Sequence, residues 1–359
     1  MDILNIALNF DLEGDIVKIN ENSTGLINKT YIVITTCNKY IIQKINHLVF
    51  TNPELVMKNI KIVIQHLNKH KKECEMLGLI NTISGNYYLV KNGDVYRCYN
   101  YLNDSIFYNS AVNDKQLYEM GKAIGEFHQN LLDLNPNKLE VTIPNFHDTD
   151  IRYRTLMESF KNSDTFKQQE VIELYNYITH EIQDTVNINE LLNSRQIKIR
   201  IVHNDTKLNN LVFSKKTGKA KCLIDLDTVM PGSILFDFGD ALRSAGSTVT
   251  EECREFEKID FSLNKCLYFI IGYLEMMSNY LDEKEVELMY DSIYMITIEC
   301  GMRFLTDYLD GNKYFSIKYE KQNLYRAINQ LMLSKKIKNQ KNLIRKSINN
   351  INNRIKSLN

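Results

Sequence analysis

The stretch Ile201–Phe213, "IVHNDTKLNNLVF", decides how this chain is read. Apolar, strand-like ends enclose a polar centre of His203, Asn204, Asp205, Lys207, Asn209 and Asn210. Such a segment is either a loop that carries chemistry or a solvated turn, and its surroundings have to decide. After Asn210, "LVFSKKTGKAKCLID" reads as a strand, a turn at Lys216-Thr217-Gly218 and a second strand. That hairpin returns the chain beside the loop and delivers Asp225 at a strand end. Asp227, two residues further, points the same way along an extended chain.

The spacing gives the chemistry. His203 and Asp205 stand two apart and Asn210 lies five beyond Asp205, which is the H-x-D-x-x-x-x-N pattern of a phosphoryl-transfer catalytic loop. A carboxylate at Asp205 accepts or orients the proton of an attacking hydroxyl. The amide oxygen of Asn210 and the carboxylate of Asp225 suit Mg²⁺, a hard ion that prefers oxygen ligands. Asp227 is within reach of metal or substrate, and Lys207 is placed to neutralise a transferred phosphoryl group. A literal "DFG" at Asp237–Gly239 does not directly follow the hairpin and introduces a helix, "DFGDALRSAG". Asp237 is therefore expected to cap that helix or brace the loop, not to hold metal.

Working outward, residues 14–45 alternate turn signals with short β-branched runs, as hairpins do. A helix follows in "TNPELVMKNIKIVIQHLNKHKKECEMLG", with a capping box at Thr51 and Glu54 and an apolar face of Val56, Ile60, Val63 and Leu67. Gly78 is expected to stop it. A further hairpin turns at Asn92-Gly93. Beyond about residue 104 the pattern becomes helical, at 117–134, 164–184, 262–281, 284–309 and 321–335, interrupted by the strand-rich island 199–226. Gly121 and Gly125 allow close packing of another element, and His128 reads as a core histidine with a satisfied hydrogen bond. The expectation is an α+β, bilobal, protein-kinase-like fold: residues 1–98 a small antiparallel β lobe with one helix, 99–104 a hinge, and 105–359 a mainly helical lobe. The Asn-rich basic tail is weakly amphipathic.

Bulk composition excludes several classes. The chain has 359 residues, with 44 Lys plus Arg against 44 Asp plus Glu. A zero net charge offers no global basic field for nucleic acid or an anionic membrane. The seven cysteines are scattered without C-x-x-C spacing, which argues against a disulfide framework or a zinc site and for a reducing, cytoplasmic setting. The N-terminus has neither a basic start nor an export-length apolar run, and no stretch approaches a membrane span.

"IVHNDTKLNNLVF" with "CLIDLDTVMPGSILFDFGDALRS" resembles the aminoglycoside phosphotransferase and choline kinase group, and more narrowly its N-acetylhexosamine 1-kinase branch. "GLINKTYIV" at 25–33, "YIIQKINHLVFTNP" at 40–53 and "GMRFLTDYLDGNKYF" at 301–315 match that branch. The resemblance covers nearly the whole chain apart from the tail. It implies ATP and Mg²⁺ as cofactors, a small-molecule sugar as acceptor, and transfer of the γ-phosphoryl group to its anomeric hydroxyl. Carried over, Asp205 is the base, Asn210 and Asp225 bind Mg²⁺, and Arg303 and Tyr314 contact sugar. By residue type alone, Arg303 and Asp307 read equally as an intrahelical ion pair. Gly25 and Asn28 could present backbone N–H groups to phosphates. In "YIIQK", Gln43 and Lys44 fall on opposite strand faces; Lys44 carries the charge suited to phosphate, while Gln43 stands at the aligned position. Leu26 and Lys29 replace the histidine and aspartate usual in the branch. The competing readings are a kinase for another hydroxylated acceptor, such as an aminoglycoside or a choline-like amine, and a non-catalytic nucleotide-binding regulator.

Overall fold

The computed structural model describes residues 3–22, 27–70, 77–108 and 113–358. Helix α1 (Ile3–Ala7) precedes strands β1 (Ile16–Asn22), β2 (Lys29–Thr35) and β3 (Lys39–Lys44), then helix α2 (Pro53–His70) and strands β4 (Leu79–Ile80), β5 (Leu89–Lys91) and β6 (Asp94–Asn100). Next come β7 (Ser105–Ile106), α3 (Asp114–Asn130), α4 (Thr149–Asn162), α5 (Thr165–Glu181) and α6 (Ile188–Asn193). Then follow β8 (Arg200–Val202), β9 (Leu211–Ser214), β10 (Ala220–Leu223), β11 (Met230–Gly232) and α7 (Ile234–Gly246). The chain closes on α8 (Leu263–Met277), α9 (Glu283–Leu309), α10 (Gln322–Asn339) and α11 (Lys341–Lys356).

The arrangement is the two-lobed α+β fold read from the sequence. In the first lobe, strands run in the order β1-β2-β3-β6-β4, with β5 also pairing β6. All pairings are antiparallel. Asn92 and Gly93 both take positive φ, 55° and 81°, which is what a two-residue turn between β5 and β6 requires. One sheet face packs on α1 and the turn after it, with Ile6, Ala7 and Phe10 against Val33, Tyr40, Ile42, Tyr96 and Cys98. The start of α2 differs from expectation. Asn52, not Thr51, caps it, its side-chain oxygen accepting from the Leu55 N–H at 3.3 Å.

The chain leaves the first sheet at Asn100, and at Ser105 it joins β9 and β10 in a second sheet. The larger lobe is built on α3, α7, α8 and α9. A Cβ at Gly121 would fall 2.0 Å from the Phe269 carbonyl oxygen, and one at Gly272 would fall 2.2 Å from that of Tyr118. The paired glycines thus let the backbones of α3 and α8 touch. Several elements escaped the sequence reading, among them α1, which gives the first lobe a second helix, and α6. Helix α4 carries few apolar positions, and β11 is a short strand, Met-Pro-Gly, that owes its existence to pairing with β8. The tail forms α11, which docks through the buried Ile344 and Ile348 and through the Arg345 to Asp291 ion pair at 2.7 Å. No helix among the described residues is long and apolar enough to cross a membrane.

Candidate active site

Strand β8 carries the chain into the His203–Asn210 loop, where Asn204 turns with φ 64°. The turn is fixed from behind by Asp237, in the first turn of α7. Its Oδ2 accepts from the His203 N–H at 2.7 Å and its Oδ1 from the Asn204 N–H at 2.6 Å. The Thr206 hydroxyl donates to the Asp237 carbonyl at 2.6 Å, and His128 Nε2 meets Oδ2 at 2.8 Å. Burial pushes the Asp237 carboxyl up, but the His128 hydrogen bond and charge, with the His203 N–H, hold it below its ordinary range. Ser233 caps α7, so Asp237 is the brace of the loop and not a cap. His128 is the satisfied core histidine expected, its Nδ1 lying 3.0 Å from the Tyr273 hydroxyl.

Asp205 faces the cleft between the lobes, its side chain 26% exposed. Oδ2 lies 3.1 Å from Lys207 Nζ and accepts from Asn210 Nδ2 at 2.8 Å. Oδ1 has no hydrogen-bond partner among the described residues. Burial raises this carboxyl, and the charges of Lys207 and His203 more than offset it, so Asp205 stays ionised. Lys207 is itself desolvated, but Asp205, Glu251, Asp225 and Asp240 raise its pKa and keep it charged. Because Asn210 uses its NH₂ group on Asp205, its amide oxygen is left for a ligand. Asp225 sits at the end of β10 in the left-handed region, φ 62°. Desolvation in the cleft, then the negative charges of Asp227 and Asp205, push its carboxyl up to about 7. A free amide oxygen beside a carboxylate destabilised by like charges is the donor set a hard divalent cation fits.

Asp227 is more committed than the sequence suggested. One oxygen is ion-paired with the Arg97 guanidinium, and the other accepts from Asn28 Nδ2 at 2.5 Å. Both donors come from the first lobe, so Asp227 ties the lobes together. Asn28 also accepts from the Asn46 N–H at 3.0 Å, which fixes the hairpin end beside the cleft. Gly25 and the neighbouring Leu26 lie outside the described residues.

The expectation for Lys44 is corrected. It pairs with Asp94 at 2.6 Å, on the sheet face that packs on α1. Gln43, one residue earlier, faces the cleft. Its Oε1 accepts from Arg97 Nε at 3.0 Å, and its Nε2 donates to Thr30 at 3.1 Å. Cross-strand pairing of Gln43 with Arg97 puts the buried cation on β6, one strand away from where it was sought. Arg97 stays charged against its burial because Asp227, Tyr99 and Asp225 stabilise the cation. An arginine inside the apolar run of "DVYRCYN" was the available signal.

Across the cleft, Arg303 on α9 lies under three rings, 4.9 Å from the centroid of Phe146, 5.6 Å from Phe315 and 5.8 Å from Tyr314. Its guanidinium makes no hydrogen bond among the described residues. The ion pair with Asp307 does not form. Asp307 instead accepts from the N–H groups of Tyr314 and Phe315 at 2.7 and 3.0 Å and so shapes the turn that presents Tyr314. Two of the carboxylates near Arg303 and Lys207 are already engaged, Glu299 by His147 Nδ1 at 2.7 Å and Glu251 by Arg243. Phe146, in the loop before α4, gave no sequence signal.

The model of the phosphotransferase enzyme family matches residues 18–261, which span both lobes and the whole of the 201–213 segment. This chain belongs to the phosphotransferase enzyme family. It is a phosphotransferase for a hydroxyl acceptor. The fold of this phosphotransferase is shared by solved structures of low sequence identity. An aminoglycoside phosphotransferase from Alicyclobacillus acidocaldarius superposes with a TM-score of 0.62 at 11% identity, over 97% of this chain and 95% of that one. Choline kinase from Cryptosporidium parvum gives 0.60 at 12%, over 98% of each. Spectinomycin phosphotransferase, solved with ADP and spectinomycin, gives 0.59 at 13%, over 90% and 94%.

Proposed function

We propose that this phosphotransferase uses ATP and Mg²⁺ to phosphorylate the anomeric hydroxyl of an N-acetylhexosamine, giving the sugar 1-phosphate. The observation that carries the acceptor reading is Arg303. Its guanidinium is held by ring faces and keeps its donors free, while Glu299 beside it is engaged by His147 and Glu251 by Arg243. A cationic acceptor would call for unpaired carboxylates. A neutral sugar calls for directional donors, which a planar guanidinium and the Tyr314 phenol supply.

In this reading the nucleotide lies between residues 1–98 and 105–359, with 99–104 the hinge. Asp205 Oδ1 takes the proton of the acceptor hydroxyl as its oxygen bonds to the γ-phosphorus. The bond to the β-phosphate oxygen breaks and ADP leaves. Lys207 offsets charge on the transferred group. Asn210 and Asp225 would hold the metal, which when bound offsets the phosphate charge. Arg97 takes the part first sought at Lys44, a cation facing the phosphates, because it stands on the cleft side of the sheet within the field of Asp225. The test is ADP release across a panel of N-acetylglucosamine, N-acetylgalactosamine, aminoglycosides and choline, with phosphorus NMR of the product. An acid-labile 1-phosphate is expected. Phosphate on a 6-hydroxyl, or turnover with amines but no hexosamine, would overturn the acceptor reading and leave the kinase standing.

A further inference from the structure

A second cluster lies away from the cleft. His66 and His70 are four apart on α2 and so share one helix face. Asp133, just beyond α3, reaches the same point. His66 Nε2 is 2.7 Å from Asp133 Oδ1, His70 Nε2 is 3.6 Å from Oδ2, and the two Nε2 atoms are 3.3 Å apart. The rings lie 5.0 Å apart, tilted by 43°. A hydrogen bond accounts for His66 with Asp133. It does not account for His70, whose Nε2 is aimed at the nitrogen of His66. A neutral imidazole carries one N–H, so two Nε2 atoms sharing one carboxylate place either two N–H groups or a bare lone pair in the same small space.

We propose that His66, His70 and Asp133 form a zinc site. Two ligands at about 2.0–2.1 Å from a tetrahedral zinc lie about 3.3–3.4 Å from each other, and the observed Nε2 separation is 3.3 Å. Two imidazoles and a carboxylate suit Zn²⁺ over Mg²⁺ or Ca²⁺. Three protein ligands leave a fourth position for water, and solvent reaches it because the side chains of His70 and Asp133 are 37% and 63% exposed. The ion would clamp the C-terminal end of α2 to the turn after α3. Since α2 also holds Val229 through Asn59 Nδ2 at 2.9 Å, just past Asp227, the clamp would steady the helix that abuts the cleft.

The test uses the full chain, stripped with a chelator. Co²⁺ is titrated as a spectroscopic probe and Zn²⁺ by calorimetry, in wild type, His66→Ala and His70→Ala. One equivalent with tetrahedral cobalt bands is expected in wild type. Loss of either ligand should weaken it by at least about tenfold, since even an outer-shell partner is worth that much. Zn²⁺ should raise the Tm of wild type and not of His70→Ala. The partly exposed His70 makes that variant safe to fold, and its metal-free Tm checks this. Equal binding in wild type and both variants, or no equivalent in wild type, would overturn the proposal.

Discussion

The loop around Asp205 and the wall around Arg303 face each other across the cleft and are built in opposite ways. In the loop, polar groups behind the reactive edge have fixed partners. Asp237 alone holds two backbone N–H groups and His128. The Thr228 hydroxyl donates to the His203 carbonyl at 2.6 Å and Asn204 Nδ2 to the Thr228 carbonyl at 2.9 Å, which locks the same turn. At the wall, Arg303 is positioned by aromatic faces and its donors stay free. The contrast separates two demands. Phosphoryl transfer needs a geometry set before substrate arrives. Recognition of an acceptor needs donors that stay unsatisfied until it arrives, because discrimination comes from leaving them unpaired with the wrong ligand.

The largest expected effect lies on the rigid side. Asp205→Asn should lower kcat by about a hundredfold or more, the scale of a lost general base, while nucleotide affinity is retained. Near wild-type turnover would remove Asp205 from the chemistry. The brace and the proposed metal ligand can then be told apart. Asp225→Ala should weaken Mg²⁺-dependent ATP binding more than Asp237→Ala, and Asp237→Ala should lower the Tm more, because it leaves two N–H groups and His128 buried without their carboxylate. A titration in the reverse order would make the literal "DFG" the metal site. The Asp237 carboxyl is held below its unfolded pKa, so its stabilisation is present above that pKa, about 4, and is lost as pH falls through the lower folded value. Asp237→Asn should flatten the acid limb of Tm against pH.

The rigid side was the part legible in the sequence. Spacing within one short segment places Asp205 and Asn210, and a hairpin returns Asp225, so local rules sufficed. The N-lobe contribution was not legible in the same way. Whether Gln43 or Lys44 faces the cleft depends on which sheet face α1 covers, a tertiary choice. Arg97 and Asp227 are 130 residues apart and meet only when the lobes close on each other. Phe146 sits in a loop without periodicity, and β11 exists only through its partner β8. What sequence pattern missed was what packing alone decides.

On the recognition side the effect should be smaller and confined to one substrate. Arg303→Ala is expected to raise KM for the sugar by about tenfold or more, the scale of a lost hydrogen bond from a charged group, with KM for ATP little changed. Equal loss for both substrates would mean that Arg303 supports the fold and not the acceptor.

The smallest effect is expected at Lys44, and its smallness is informative. Lys44 and Asp94 have side chains 33% and 30% exposed, and a pair of that kind contributes at most about 1 kcal/mol. Lys44→Ala should therefore shift Tm only slightly and leave KM for ATP unchanged within about twofold. Arg97→Ala removes a cation of the same sign from the neighbouring strand, on the other face of the same sheet. It should raise KM for ATP and lower Tm together, because Asp227 would keep its charge and lose its buried partner. Steady-state kinetics on the two variants side by side isolates the face of the sheet from the charge of the residue. A large rise in KM for ATP with Lys44→Ala, and none with Arg97→Ala, would return the phosphate contact to the lysine and require β3 to present its other face to the cleft.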